Sequence, residues 1–342
     1  MTSSQCQPAE AVPAEAVPAE AVPAEAVIVL EGRDAPPVRE VSPIPARGQS
    51  RLWALASALR PRQWPKNVLV FAAPVASGAI LHTGPLLRTF AAFWVLIAAS
   101  AATYLLNDIT DRESDRLHPV KSRRPIASGR LGAKTALGVA SALTVISSGA
   151  ALLISPGLGA IVMSYLAIST AYTFFLKRLA VIELASVASG FTLRAVAGGA
   201  AAHVAISPWF LVMVSFGALL VVAGKRRSEQ VALGSAQTVH RRSLGAYPPE
   251  FLRSVRLLAM AVTVTTYCLW AFQRASELSL SRGAHLVWFE LSIVPFVTAV
   301  LLVELAVQRG KGGEPEELAL TDHALQLCGL AWAALVVIGI YA

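Results

Sequence analysis

The sequence predicts an all-α, multi-pass membrane protein, a bundle of nine transmembrane helices. Three observations carry that prediction. The 342 residues are 55% hydrophobic and only 15% charged, with a mean hydropathy of +0.58. The apolar residues gather into runs of roughly 17 to 23, the length that spans a bilayer core at ~1.5 Å rise per residue. Those runs do not alternate apolar with polar, as barrel strands do, so the spans are helical. Charge collects between the runs, which leaves too little polar surface for a soluble domain of this size.

The N-terminus is a different material. Residues 8–27 are four copies of PAEAV. Proline at every fifth position forbids a continuous helix, and the tract offers nothing from which to build a core. It also lacks the basic start and unbroken apolar centre of a signal peptide. We expect residues 1–47 to be a disordered low-complexity tail and residues 48–342 to form the transmembrane domain. The stretch RLWALASALRPRQWPKN opens that domain. Its mixture of apolar and basic residues predicts a helix lying on the membrane surface, with Trp64 as an interfacial anchor. Spans are expected at about 67–82, 88–106, 133–153, 158–176, 179–201, 206–223, 254–273, 285–307 and 323–341. Turn residues mark the joints: HTGP at 82–85, SPGLG at 155–159 and Pro208.

Basic loops stay cytoplasmic. With these spans, 25 of the 29 Lys and Arg residues fall on one side, Arg88, Arg274 and Arg282 on the other, and Arg194 inside a span. The N-terminus is therefore expected in the cytoplasm and the C-terminus outside, in a plasma membrane. The two long charged loops, 107–134 and 224–253, face the cytoplasm, where any chemistry is expected. No feature points to nucleic acid. Cys6, Cys268 and Cys328 lie singly, without metal-ligand spacing. His82, His203 and Tyr247 receive no role.

The stretch NDITDRESDRLHPVKSRRPIASG begins at Asn107. Steps of three and four put Asp108, Asp111 and Asp115 on one face of a helix, where like charges repel. A hard cation resolves that conflict, and carboxylates beside the Asn107 amide suit Mg²⁺, which also binds phosphate oxygens. Arg112 and Arg116 interleave the acids, and Lys121, Arg123, Arg124 and Arg130 follow, able to take phosphate oxygens that the metal leaves. A diphosphate ligand with Mg²⁺ is the expectation. The rival is a solvated loop whose charges pair with one another.

These residues resemble the first Asp-rich motif of the UbiA prenyltransferase superfamily, N-D-x-x-D-x-x-x-D followed by bases and R-P-[IL]-x-x-G, matched here by Arg124, Pro125, Ile126 and Gly129. The resemblance implies an intramembrane bundle around a central cavity, with diphosphate and Mg²⁺ at its cytoplasmic mouth and the isoprenoid chain among the helices. Typical members carry a second motif, D-x-x-x-D, after span 6. Here that loop is expected to hold GKRRSEQVALG, whose only acid is Glu229, with Lys225, Arg226 and Arg227 in place of carboxylates. Together with RPRQWPKNVLVFAAP, YTFFLKRLAVIELASVASGFTLRAVAGGAA and GEPEELALTDHALQLCGLAW, this is similar to one branch of the superfamily. That branch moves 5-phosphoribosyl from phosphoribosyl diphosphate to decaprenyl phosphate, releasing diphosphate, for cell-wall arabinan synthesis.

Roles follow as implications. Asp108 and Asp111, with Asp115 and Asn107, would hold Mg²⁺ on the leaving diphosphate. Glu183 would face the oxocarbenium character that builds at the ribosyl carbon. Lys177, Arg178, Lys225 and Arg226 would grip the 5-phosphate or the acceptor phosphate. Gln63, Lys66 and Asn67 would meet the acceptor phosphate, and Tyr172, Lys121, Arg123, Arg124 and Glu229 complete the substrate-contact set. Arg194, mid-span, needs a partner: Glu183, three turns away on the same face, or a bound phosphate. Two rivals stay open, a prenyltransferase acting on an aromatic acceptor and, less favoured, a transporter. Homo-oligomerisation is left open too.

Overall fold

A computed structural model describes residues 51–118, 120–233, 247–282, 287–310 and 315–341. The predicted 1–47 tail and residues 234–246 of the loop after span 6 lie outside these residues. The described elements are helical in chain order. They are α1 (Arg51–Ala58), α2 (Ala72–Ala76), α3 (Thr83–Thr110), α4 (Arg112–Arg116), α5 (Ala133–Ile154), α6 (Pro156–Phe174), α7 (Ile182–Ala202) and α8 (Pro208–Leu233). After these come α9 (Pro249–Arg282), α10 (Trp288–Leu291), α11 (Ile293–Gln308), α12 (Pro315–Thr321) and α13 (His323–Tyr341).

Eight helical stretches are long and apolar enough to cross a membrane. They match eight of the nine expected spans, with the sixth running on past its expected end at 223. Only 17% of the apolar window is buried in α5 and again in α13. Leu153, Leu327 and Leu330 project outward, which suits lipid rather than water. Local chemistry sets the ends. Ser155 caps α6, its hydroxyl accepting from Leu158 N–H at 3.0 Å and donating to Ala200 O at 3.1 Å, with Pro156 opening the helix.

The expected span 67–82 is a different object. It is a 3₁₀ run, Pro61–Phe71, followed by the short α2 and a second 3₁₀ turn, Ala79–Leu81. Pro65 and Pro74 bring no N–H to the ladder, and Gly78 turns the chain at φ 78°. Hydropathy alone reads such a stretch as a continuous helix. Residues 61–82 run the length of α3: Arg60 pairs with Asp108 near the C-terminal end of α3, and His82 directly precedes its N-terminus. The 3₁₀ run also lies hard against α7. A Cβ built on Gly198 would stand 1.7 Å from Val70 O, so only glycine permits the approach. Val70, Leu96, Val162 and Ala197 close the core around that contact.

A second correction concerns the sequence after span 6. Residues 224–233 continue α8 rather than starting a loop. Lys225, Arg226 and Glu229 therefore sit on a rigid helical surface.

Candidate functional site: acids and bases at one end of the bundle

The last turn of α3 carries Asn107 and Asp108, Asp111 caps it, and Asp115 lies on α4. The loop that follows folds back on the acids. Arg116 Nε donates to Ala127 O at 3.0 Å, Leu131 N–H to Pro125 O at 2.9 Å, and Gly129 takes φ 79°. Buried Ile126 joins Leu105, Ala136 and α1 in one apolar cluster. The R-P-I-x-x-G ending thus pins Arg124 over the acids, and its glycine supplies the left-handed turn.

Arg124 Nη1 bridges two carboxylates, Asp115 Oδ2 at 2.7 Å and Asp108 Oδ1 at 3.1 Å. Arg60 bonds Asp108 from its own left-handed backbone position, with its guanidinium 5.0 Å from the Tyr104 ring. Lys177 Nζ reaches Asp111 Oδ1 at 2.5 Å. Three cations from three separate segments therefore converge on the carboxylates. Lys121 and Arg123 occupy a 3₁₀ turn beside them, Arg123 exposed. Gln63 is half-buried in the 3₁₀ run.

A second ionic centre joins α7 to α8. Glu183 is fully buried. Arg226 meets it as a fork, Nε to Oε1 at 2.8 Å and Nη2 to Oε2 at 3.0 Å, while Nη1 donates to Glu229 Oε2 at 2.8 Å. Tyr172 lies within electrostatic reach of Arg226. Just before Glu183, Val181 is held at φ 66°, a strained position for a β-branched residue, and its N–H donates to Tyr247 OH at 2.8 Å. Tyr247, given no role from sequence, thus fixes the start of α7.

The expected pairing of Arg194 with Glu183 does not form. Arg194 donates to Asn67 Oδ1 at 2.8 Å, Tyr165 OH at 2.9 Å and Gly190 O at 2.7 Å. Glu183 is claimed by Arg226 because α8 presents a guanidinium beside it, whereas Arg194 lies three turns further along α7. Sequence reasoning also missed Arg60, Tyr165 and a buried clamp between α9 and α11, Arg256 to Glu304 at 3.0 and 2.8 Å. No periodicity connects residues 48 apart, so neither Arg60 nor this clamp left a signal.

Among the described residues, no three His, Cys, Asp or Glu side chains gather as a ready-made metal cage. Mg²⁺ asks for less: one or two carboxylates, completed by waters and substrate phosphate oxygens. The amide and carboxylate oxygens of Asn107, Asp108, Asp111 and Asp115 are hard donors of the right kind. Arg60, Arg124 and Lys177 are the bases that would transfer to phosphate when a metal takes the acids.

Fold and site together define an integral-membrane helical bundle with paired acids and bases clustered at one end. The chain belongs to the UbiA prenyltransferase family, whose sequence profile matches residues 68–319. It is 41% identical over 291 residues to a decaprenyl-phosphate phosphoribosyltransferase of Corynebacterium glutamicum, covering 84% of this chain and 86% of that one. It is 42% identical over 286 residues to a protein of the same name from Mycobacterium tuberculosis, covering 82% and 92%. The fold is similar to that of a UbiA homolog from Archaeoglobus fulgidus bound to DMAPP and Mg²⁺, with a TM-score of 0.63 at 17% identity over 84% of this chain and 97% of that one.

Proposed function

We propose that this protein is a membrane phosphoribosyltransferase. It moves 5-phosphoribosyl from phosphoribosyl diphosphate to polyprenyl phosphate, of the decaprenyl class, and releases diphosphate. The observation that carries the reading is the pairing of two facts at the ionic end of the bundle. The first acid motif is intact on α3 and α4, while the second motif's place on α8 holds Arg226, locked between Glu183 and Glu229. An intact acid motif, with an arginine where a second carboxylate pair is expected, suits a reaction in which both substrates bring phosphate. The 41–42% identical relatives carry that activity in their names. The prenyl-transfer alternative lacks the second carboxylate pair.

In the reaction, an oxygen of the lipid phosphate forms a bond to ribose C1. The C1–O bond to diphosphate breaks, and its electron pair leaves with the diphosphate. Asp108 and Asp111, with Asn107 and Asp115, would hold Mg²⁺, whose chemistry when bound would be charge neutralisation of the leaving diphosphate. Arg60, Arg124 and Lys177, released from the acids, bind diphosphate oxygens. Glu183 acts through Arg226: its carboxylate fixes that guanidinium in place on α8. Residues 61–82 supply one further crossing beside the eight long helices. With the basic loops kept cytoplasmic, that parity supports a cytoplasmic N-terminus and acid mouth and an outer C-terminus, in the plasma membrane. The lipid product is an activated pentose donor for cell-wall arabinan.

The test uses purified protein in detergent with labelled phosphoribosyl diphosphate, polyprenyl phosphate and Mg²⁺. A labelled lipid that requires both substrates is expected. Turnover only with a prenyl diphosphate would overturn the reading.

A further inference from the structure

We infer that Arg194 and Asn67, backed by Tyr165, form a phosphate-monoester pocket inside the bundle, and that it receives the headgroup of the lipid acceptor. The inference rests on the transfer reading above and gives its lipid substrate a place.

The first argument is charge. Three arginines are buried among the described residues: Arg194, Arg226 and Arg256. Arg226 meets Glu183 and Glu229, and Arg256 meets Glu304. Arg194, 5% exposed, meets only neutral oxygens, those of an amide, a phenol and a backbone carbonyl. Its guanidinium lies 4.9 Å from the Tyr165 ring centroid and 5.7 Å from that of Phe191. Those contacts solvate the charge without cancelling it. A cation inside a membrane span marks a functional site by default.

The second argument counts donors. Guanidinium carries five N–H groups, and three hydrogen bonds are made. Asn67, 1% exposed, turns its oxygen to Arg194 and leaves Nδ2 buried without a partner. The surplus is therefore entirely of donors. A phosphate monoester is rich in acceptors and negatively charged, the complement of that surplus.

The surroundings choose between phosphates. Tyr165 shares an apolar cluster with Val70, Val95, Leu166 and Ala197, surroundings that offer nothing to ribose hydroxyls. Lys66, with its ammonium 6.0 Å from the Phe191 ring, adds a second positive charge at the same place. The cations at the acid cluster are taken by carboxylates, so the two phosphate-bearing substrates are served by separate groups.

Asn67→Asp separates this pocket from a structural arginine. A carboxylate there supplies the counter-charge that Arg194 lacks and removes the Nδ2 donors. We expect an unchanged or higher Tm, a KM for polyprenyl phosphate raised at least about tenfold, and a KM for phosphoribosyl diphosphate within about twofold of wild type. Arg194→Lys should retain part of the lipid binding that Arg194→Gln loses. Binding of farnesyl phosphate alone, read by native mass spectrometry, reports on the pocket without requiring turnover, so it survives a failure of the transfer reading. Raised KM for the donor alone would hand the pocket to the ribose 5-phosphate and overturn the lipid assignment. Unchanged binding and kinetics for both substrates in Asn67→Asp would overturn the pocket itself.

Discussion

The acid cluster at Asp108 and the arginine at position 194 handle charge in opposite ways. At the first, each of the three aspartates has a cation, and Arg124 serves two of them. At the second, a buried cation has three hydrogen bonds and no carboxylate. Compensated pairs can exchange partners when a metal and a phosphate arrive together, because every group that leaves an ion pair finds another. An uncompensated cation has nothing to release and accepts an anion directly. The two regions therefore suit different ligands, a metal-bound diphosphate and a metal-free phosphate monoester.

The strongest way to break this comparison is at Asp108. Asp108→Ala removes a proposed metal ligand, strands Arg60 and leaves Arg124 to Asp115 alone. Transfer should fall by about 10²–10⁴-fold, while farnesyl phosphate binding persists. Chelation by EDTA should act likewise, abolishing transfer until Mg²⁺ is restored and leaving lipid-phosphate binding intact. Loss of both bindings together would show that the regions are one site.

Next in size is the fully buried fork on Glu183. Glu183→Ala leaves Arg226 paired only with Glu229 and should destabilise the protein by about 3–5 kcal/mol, read by thermal unfolding in detergent. The double change Glu183→Leu with Arg226→Met should regain most of that stability without regaining turnover, which separates a positioning role from a purely structural one.

Gly198→Ala tests the frame that brings Asn67 to Arg194. A methyl against Val70 O should cost about 1–3 kcal/mol and weaken farnesyl phosphate binding more than donor binding. The smallest effect is expected at the opposite end, where Arg274 reaches Ser77 O at 3.2 Å and Glu277 at 3.0 Å. Arg274→Gln should change Tm by the equivalent of about 1 kcal/mol or less and leave both kinetic constants alone.

Much of the fold was legible because hydropathy and length are local. Eight spans, a helix before them and the gathering of acids at 108, 111 and 115 follow from spacing along one segment. The expected single helix face nonetheless breaks at Asp111, which caps α3 and leaves Asp115 on α4. The span at 67–82 misled because apolar content says nothing of hydrogen-bond pattern. Pro65, Pro74 and Gly78 were visible, yet what makes their broken run tolerable is burial against Gly198, more than a hundred residues on. The acids of the site were legible for the same local reason. Their partners were not.

By itself the sequence determined a many-helix membrane chain, the segments in which its charge gathers, and a run of closely spaced carboxylates. Each of those is a property of residues within a few turns of one another. Only the tertiary structure decided which charges cancel. Arg226 claims Glu183 from 43 residues away, and Asn67, 127 residues from Arg194, offers an oxygen where a carboxylate was expected. Coulomb energy depends on distance in space and on the dielectric around the pair, and neither quantity is written along a chain.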